Sequence, residues 1–173
     1  MSLSRPELLA ESHDVSRFDC GVEALNAFLK KHAVQNQRNN SARTFVASRQ
    51  GRVVGFYSLC AASVAFEQTP DRIRKGLARH EVPLILLARL AVDNGEKGKG
   101  LGFSLLLDAF ARFMQAQESI GARALLAHAK DDSAKAFYEK WGFVAAEGLP
   151  YHLFILTKDI KRTLEELSSL LSR

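Results

Sequence analysis

Residues 87–110, LARLAVDNGEKGKGLGFSLLLDAF, join two apolar runs through a charged turn that is rich in glycine. The first run is nearly continuous in apolar character over 82–93, which predicts a central strand covered on both faces. The second run predicts a long helix over 100–118. Glycines at such a turn let backbone N–H groups approach an anion at the helix N-terminus. The segment therefore predicts an α/β fold with a turn suited to a pyrophosphate.

The spacing of the glycines excludes the two common nucleotide-binding loops. A Walker A loop requires Ser or Thr after its lysine, whereas Lys99 is followed by Gly100. A dinucleotide-binding turn requires the spacing G-x-G-x-x-G, and here Gly102 comes one residue too early after Gly98 and Gly100. A flexible, solvated loop remains the alternative to an anion site.

Helical and strand patterns alternate along the rest of the chain. The other predicted elements are a helix within 18–36 with Asp19 as its N-cap, strands at 43–49 and 52–65 joined by Gln50-Gly51, a short helix within 69–80, a strand at 123–129, a helix at 131–142, a strand at 151–158 and a terminal helix at 158–173. This order predicts an α/β fold with a mixed central sheet flanked by helices. Because single domains commonly contain about 100–200 residues, we expect one domain over 1–173.

Positive charge is concentrated in one part of the chain. Lysine and arginine number 24 against 19 acidic residues, a net charge of +5, and no acidic residue lies between Glu23 and Glu67. The basic residues inside and just after this stretch are Lys30, Lys31, Arg38, Arg43, Arg49 and Arg52, then Arg72, Arg74, Lys75 and Arg79. Their concentration favours a partner that carries phosphates. A solvated basic surface is the alternative.

Several other classes of protein and site are disfavoured. Cys20 and Cys60 stand alone, without the spacing of a metal motif, so we expect two reduced packing residues and neither a disulfide nor a metal site. The N-terminal segment lacks the apolar centre of a signal peptide, and the run PLILLARLAV at 83–92 is too short to span a bilayer. A soluble, cytoplasmic protein without a membrane partner is expected.

Three segments together resemble a known family. The strand RLAVD at 89–93, the turn KGKGLG at 97–102 and the later AKAFYEKWGF at 134–143 look like the acetyl-CoA-binding core of the GNAT acetyltransferases. The turn departs from the family pattern Q/R-x-x-G-x-G/A only in Lys97, which stands where Gln or Arg is usual. The resemblance implies a GNAT-like fold and acetyl-CoA as the cofactor.

The same resemblance implies a role for each residue that matches the family's motifs. Backbone groups of the strand would hold the pantetheine arm, the turn would hold the pyrophosphate, and a tyrosine would donate a proton to the leaving thiolate. The cofactor-binding residues would be Leu90, Ala91, Val92, Lys97, Gly98, Lys99, Gly100, Leu101 and Gly102, with Asp131 where relatives often place an Asn. Tyr138 would be the acid, since a phenol stays protonated at neutral pH. His128 is a candidate proton acceptor or a structural histidine.

A wider set of segments is similar to the tRNA-acetylating GNAT toxins of bacterial toxin–antitoxin pairs. It adds FDCGVEALNAFLKKHA at 18–33, RTFVA at 43–47 and VVGFYSL at 53–59. This similarity implies acetylation of the α-amino group of aminoacyl-tRNA, arrest of translation, a homodimer and a ribbon-helix-helix antitoxin. The tRNA-binding candidates are Lys30, Lys31, Arg38, Arg43 and Arg89, with Arg72, Arg74 and Lys75 in reserve.

Two points stay open at this level. The acceptor could instead be a small amine or a protein amino group, or the chain could be a non-catalytic module that binds acyl-CoA or RNA. Arg89 interrupts an apolar strand, so its side chain either faces the substrate or pairs with an acidic residue.

Overall fold

The computed structural model describes residues 2–173. The helices are Glu23–Ala27 (α1), Ala33–Arg38 (α2), Asp71–Arg74 (α3), Leu101–Ser119 (α4), Asp132–Lys140 (α5) and Thr157–Leu171 (α6). The strands are Glu7–Leu8 (β1), Arg43–Arg49 (β2), Arg52–Val64 (β3), Val82–Val92 (β4), Ala124–His128 (β5), Val144–Ala146 (β6) and Leu149–Leu156 (β7). Short 3-10 turns lie at Phe66–Gln68 and Asn94–Glu96, and a π-helical turn at Phe28–His32 separates α1 from α2.

The strands form one mixed sheet in the order β1-β2-β3-β4-β5-β7-β6. The predicted α/β class and the central position of β4 are therefore confirmed. β4 and β5 run parallel from Leu84↔Ala124 to Leu87↔Ala127, and this ladder ends before the last five residues of β4. The expectation that the whole of β4 is buried is wrong: Val82, Leu84, Leu87 and Ala91 are buried, Pro83 is exposed, and the other six residues are only half-buried.

Two compact units can be distinguished along the chain. The first comprises the residues up to Cys60 together with Ala88–Ala109, and the second comprises Ala61–Leu87 with Phe110–Arg173. β3, β4 and α4 each contribute residues to both units. The expectation of one domain over 1–173 stays a prediction.

In the first unit, a hairpin of β2 and β3 packs beneath an aromatic core. Gln50 and Gly51 turn the chain with φ angles of 52° and 78°, both left-handed, as a two-residue hairpin turn requires. The hairpin prediction is thus confirmed. Phe56 on β3 contacts the rings of Phe18 and Phe28 at centroid distances of 5.4 and 6.1 Å. A Cβ on Gly55 would lie 3.0 Å from Leu101 and Leu105, so this glycine lets the start of α4 approach β3.

The first helix begins later than predicted. α1 starts at Glu23 with Val22 at its N-cap, whereas Asp19 was expected to be the cap. Gly21, with a φ of 83°, turns the chain between Asp19 and the helix. The Asp19 carboxylate instead accepts hydrogen bonds from the Gly21 N–H and the Asn26 side chain, both at 2.9 Å. Asp19 therefore stabilises the loop before α1.

The second unit contains the antiparallel strands β5, β7 and β6 with α5 and α6. Asp131 caps α5 by accepting a hydrogen bond from the Ala134 N–H at 2.8 Å, and α5 ends before Gly142, whose φ is 99°. Both ends agree with the predicted helix. α6 was expected at 158–173 and is observed at Thr157–Leu171. At its start, the buried Asp159 binds Arg72 and Arg162.

Cys20 and Cys60 are both free thiols, as expected. No helix within residues 2–173 combines the length and the apolar character that crossing a bilayer needs. The same residues contain no group of three or more His, Cys, Asp or Glu side chains placed to share a metal ion.

Candidate active site

The glycine turn follows β4 and leads directly into α4. Gly98 and Gly100 have φ angles of 78° and 84°, a left-handed conformation that favours glycine. A Cβ built on either residue meets no atom within 4 Å, so the outer face of the turn is open. Residues 97–100 are all exposed. Gly98 and Gly100, with one residue between them, therefore expose the backbone of the turn to solvent.

The helix that follows completes a site for an anion. α4 begins at Leu101 and continues for 19 residues, and the first N–H groups of any α-helix lack intrahelical partners. The helix dipole adds partial positive charge at the same end. These backbone donors fit the pyrophosphate of acetyl-CoA, and they act regardless of which side chain stands at position 97.

Lys97 itself faces the loop before α1. Its ammonium donates a hydrogen bond to the Cys20 carbonyl at 2.7 Å. The Asn94 N–H donates to the Asp19 carbonyl at 2.8 Å in the same region. In this position the Lys97 side chain holds the turn against residues 19–20, and a contact from Lys97 to the cofactor stays a prediction.

Two buried carboxylates support the turn from its inner side, and the sequence did not indicate either. Asp93 accepts hydrogen bonds from the N–H groups of Gly95 at 2.9 Å and Asp19 at 3.0 Å. Glu96 accepts from Arg49 at 2.7 and 3.2 Å, and Lys99 lies 3.8 Å away. Arg49 belongs to the basic stretch predicted to meet a phosphate-bearing partner, but Glu96 balances its charge. The signal available in the sequence was only that Asp93 follows β4 directly and that Glu96 comes three residues later.

Replacing Glu96 with glutamine will make the protein less sensitive to acid. The hydrogen bond from Arg49 lowers the pKa of Glu96 below its ordinary value of 4.5. A depressed carboxyl pKa stabilises the fold above pH 4.5, and that contribution is lost as the pH falls through the lowered value. The thermal unfolding midpoint of Glu96→Gln should be lower at pH 7 and should decline less below pH 4.5. Glu165→Gln, which removes an exposed carboxyl on α6, should follow the wild type; identical curves for all three proteins would contradict the prediction.

The strand residues assigned to the pantetheine arm lie at the end of β4. Ala91 is buried, whereas Leu90 and Val92 are half-buried. These residues come after Leu87, the last residue of the parallel ladder with β5. Asp131, the remaining candidate for cofactor binding, uses its carboxylate to cap α5. Its contact with the cofactor stays a prediction.

Tyr138 lies on α5 with its ring buried and its hydroxyl unpaired. The ring packs against Phe137 and Phe143 at centroid distances of 5.3 and 5.1 Å. The hydroxyl has no hydrogen-bond partner within residues 2–173, and it is not one of the fully buried unpaired atoms, which are Ser48 Oγ and Arg52 Nε. Burial raises the pKa of Tyr138. The side chain is therefore a protonated phenol whose hydroxyl can reach a ligand.

The other two tyrosines of the chain are engaged elsewhere. The Tyr57 hydroxyl donates to Asp108, and the Tyr151 hydroxyl donates to Asp132 at 2.6 Å. Of the three tyrosines, Tyr138 alone has a hydroxyl without an acceptor in the described chain. The tyrosine with the unpaired hydroxyl is thus the same residue that the sequence motif indicates as the acid.

His128 stacks on His152 at the end of β5. The two residues are paired in register between β5 and β7, and their ring centroids are 4.4 Å apart. Burial lowers the pKa of His128, and the neighbouring His152 lowers it further. A neutral imidazole can accept a proton, so His128 stays a candidate acceptor.

The basic residues predicted to bind tRNA differ in their surroundings. Lys30 and Lys31 are exposed and form no ion pair within residues 2–173. Arg38 binds Glu11, and Arg43 donates to the Gln37 carbonyl at 2.8 Å. Of these four residues, only Arg38 has its charge balanced by a carboxylate of the described chain, because Arg43 is exposed and bonds only a carbonyl oxygen and the Asn40 side chain.

Arg89 is half-buried and stacks on an aromatic ring. Its guanidinium carbon lies 3.7 Å from the centre of the Phe28 ring. No acidic residue in the described chain pairs with it, which removes one of the two alternatives considered for this side chain. Burial lowers the pKa of the guanidinium. Because Arg89 has no acidic partner, its N–H donors remain available to a ligand.

The family described as an acetyltransferase (GNAT) domain matches residues 40–145. The chain belongs to the GNAT acetyltransferases. A tRNA-acetylating toxin of Mycobacterium tuberculosis (strain ATCC 25618 / H37Rv) is 45% identical over 158 residues, which cover 91% of this acetyltransferase and 95% of the toxin. The resemblance to the GNAT family and its toxins is thereby confirmed.

Solved structures of related toxins have the same fold as this acetyltransferase. AtaT complexed with acetyl-methionyl-tRNAfMet matches with a TM-score of 0.86 and 30% identity over 94% of this chain and 99% of AtaT. A tyrosine-to-phenylalanine mutant of AtaT, bound to acetyl-CoA and the C-terminus of the antitoxin AtaR, matches with a TM-score of 0.79 and 31% identity over 94% and 98% of the two chains. This GNAT enzyme uses acetyl-CoA, and the open glycine turn fits that cofactor.

Proposed function

We propose that this acetyltransferase is a toxin that transfers the acetyl group of acetyl-CoA to the α-amino group of aminoacyl-tRNA. The single observation that carries the proposal is the 45% identity to a tRNA-acetylating toxin across 95% of that toxin's length. A blocked α-amino group cannot form a peptide bond, so the modified tRNA would stop translation.

The first unit would bind the cofactor. Backbone groups around Leu90 and Val92 would pair with the pantetheine arm much as an added strand pairs with a sheet. The backbone of residues 97–102 and the N-terminus of α4 would hold the pyrophosphate. When bound, acetyl-CoA supplies the acetyl thioester. The inner carboxylates Asp93 and Glu96 would keep the turn in its open conformation.

Tyr138 would act as the general acid. In the transfer, a bond forms between the amine nitrogen and the acetyl carbon, and the bond between that carbon and sulfur breaks. The Tyr138 hydroxyl donates its proton to the departing thiolate; burial raises its pKa and so keeps it protonated, and no acceptor in the described chain competes for the proton. The amine loses a proton to solvent or, through water, to His128. Because an α-amino group has a pKa of about 7.7–8.0, a sizeable neutral fraction exists without a dedicated base.

Lys30, Lys31 and Arg89 are the residues of the first unit best placed to bind tRNA phosphates. The two lysines are exposed without an ion pair, and Arg89 has free donors above Phe28. Arg38, whose charge Glu11 balances, would make a weaker contribution, whereas Arg43 keeps its charge although the Gln37 carbonyl holds it in place. Contacts of this kind neutralise the backbone and carry no base specificity.

The partners follow from the same proposal. The neighbour AtaT binds the antitoxin AtaR. We infer that this chain is neutralised by an antitoxin of the ribbon-helix-helix type and functions as a homodimer. Since charged tRNA is used in the cytoplasm, the enzyme would act there.

Incubation with individual charged tRNAs and labelled acetyl-CoA tests the proposal. We expect label on at least one aminoacyl-tRNA and none on the same tRNA without its amino acid. The logarithm of kcat/KM should fall linearly with the logarithm of the salt concentration, with a slope of roughly the number of phosphates contacted. Label on polyamines or peptides alone would identify an acetyltransferase of small amines or proteins and contradict the proposal, as would a flat salt response.

A further inference from the structure

A basic cleft of about 750 Å³ lies within the second unit. The start of α6, the end of α4 and the segment after α3 line it, and we call it the α6 cleft. Its cationic side chains are Arg72, Lys75, Arg123, Lys158 and Lys161. Glu118 is the single carboxylate in the lining. None of the roles given above to the acetyl-CoA site uses this cleft.

Most of the positive charge in the α6 cleft is uncompensated. Asp159 balances Arg72, but the same carboxylate also binds Arg162 at 2.8 Å. Arg123 donates from Nε to the Ile73 carbonyl at 2.7 Å and from a terminal nitrogen to the Lys75 carbonyl at 3.0 Å. Carbonyl oxygens fix the guanidinium in place without removing its charge. The cleft therefore holds a rigid cation near its wall.

The three lysines add charge that no carboxylate neutralises. Lys75, Lys158 and Lys161 are exposed and form no ion pair within residues 2–173. Lys158 and Lys161 are three residues apart on α6, so they lie on one face and repel each other. A bound anion would relieve this repulsion. The first turn of α6, which lines the cleft, adds the positive end of a helix dipole.

The lining favours contact with a phosphate backbone over other kinds of recognition. Its five cations belong to α3, the segment after it, the residue before β5 and α6, and together they carry more charge than one phosphate neutralises. No aromatic side chain is present to stack on a base, and the apolar contribution is limited to Met114, Ala122 and Leu156. An apolar peptide would find little surface to bury there.

We propose that the α6 cleft binds consecutive backbone phosphates of the tRNA body, away from the acylated 3′ end. The inference rests on the proposed function, because it assigns a second contact surface to the same substrate. The proposal predicts that the cleft binds tRNA regardless of its nucleotide sequence, and that this binding affects KM without affecting the chemical step.

The double variant Lys158→Gln/Lys161→Gln tests this assignment. For full-length charged tRNA its KM should rise about tenfold at moderate salt, while kcat stays within twofold. The slope of log kcat/KM against log salt should fall by about two, one for each phosphate contact removed. For an aminoacylated oligonucleotide that contains only the last few nucleotides, KM should change less than twofold, since this fragment lacks the tRNA body.

A matched control removes two charges elsewhere. Arg5→Gln/Arg173→Gln lowers the net charge equally at exposed positions outside both basic surfaces, and it should behave as the wild type. If both double variants give the same KM with full-length tRNA, the α6 cleft is not a tRNA site. A defect confined to binding of an antitoxin would also overturn the assignment. If the wild type acetylates no charged tRNA, the proposed function itself fails, which separates the two failures.

Discussion

Replacing Tyr138 with phenylalanine will lower kcat by about 10²–10⁴-fold, the usual contribution of a general acid. Phenylalanine keeps the ring that packs against Phe137 and Phe143, so the fold and the KM for acetyl-CoA should change little. Only the hydroxyl is lost, and with it the proton for the leaving thiolate. Steady-state kinetics with saturating acetyl-CoA and a charged tRNA, together with a thermal melt, would measure both effects.

Tyr151→Phe is the control for the loss of a tyrosine hydroxyl. This hydroxyl donates to Asp132 on the surface, so its removal should leave kcat within about twofold of the wild type. Because burial raises the pKa of Tyr138 above its ordinary value of 10.0, the wild-type rate should show no loss from this group up to pH 10. Full activity of Tyr138→Phe would show that another group protonates the thiolate.

Replacing Gly100 with alanine will raise the KM for acetyl-CoA at least tenfold. At a φ of 84° an L-residue is strained by roughly 1–2 kcal/mol, so the unfolding midpoint should also drop by a few degrees. The increase in the KM for acetyl-CoA has another cause. The new methyl group would project from the open face of the turn, where no protein atom lies within 4 Å and where we place the pyrophosphate.

Gly51→Ala separates strain from ligand contact. Gly51 has a φ of 78° and also has no atom within 4 Å of a built Cβ, but it lies in the hairpin between β2 and β3. Its replacement should lower the unfolding midpoint by a similar amount and leave the KM for acetyl-CoA unchanged. Equal KM values for the two variants, measured at fixed acceptor concentration, would rule out the turn as the pyrophosphate site.

Local patterns in the sequence predicted most of the fold. The hairpin at Gln50-Gly51 and the helix predicted at 131–142 agree with the structure because each depends on neighbouring residues. The strands β1 and β6 were not predicted. With two and three residues they are too short to show an alternating pattern, and only their pairing with β2 and β7 defines them. The prediction of Asp19 as the cap of α1 is wrong because Gly21 turns the chain between Asp19 and the helix.

The residues of the candidate site that belong to a sequence motif could be predicted. Those that are defined by contacts between distant parts of the chain could not. The turn at 97–102 and Tyr138 follow from the resemblance to the GNAT family. The pairing of Arg49 with Glu96 joins residues 47 positions apart, which no local spacing indicates. For the same reason the sequence overstated the free charge at Arg38 and Arg72, which bind Glu11 and Asp159 in the structure.

The bonds between residues 19–20 and residues 93–97 have a consequence for cooperativity. Asp19 and Cys20 connect to this segment through the Asp93 carboxylate, the Asn94 N–H and the Lys97 ammonium. Neither segment can open without breaking these bonds, so the two share one opening free energy. A ligand at 100 times its dissociation constant adds about 2.7 kcal/mol to such a free energy. Acetyl-CoA on the turn would therefore also restrain the loop that leads into α1, the helix just before Lys30 and Lys31.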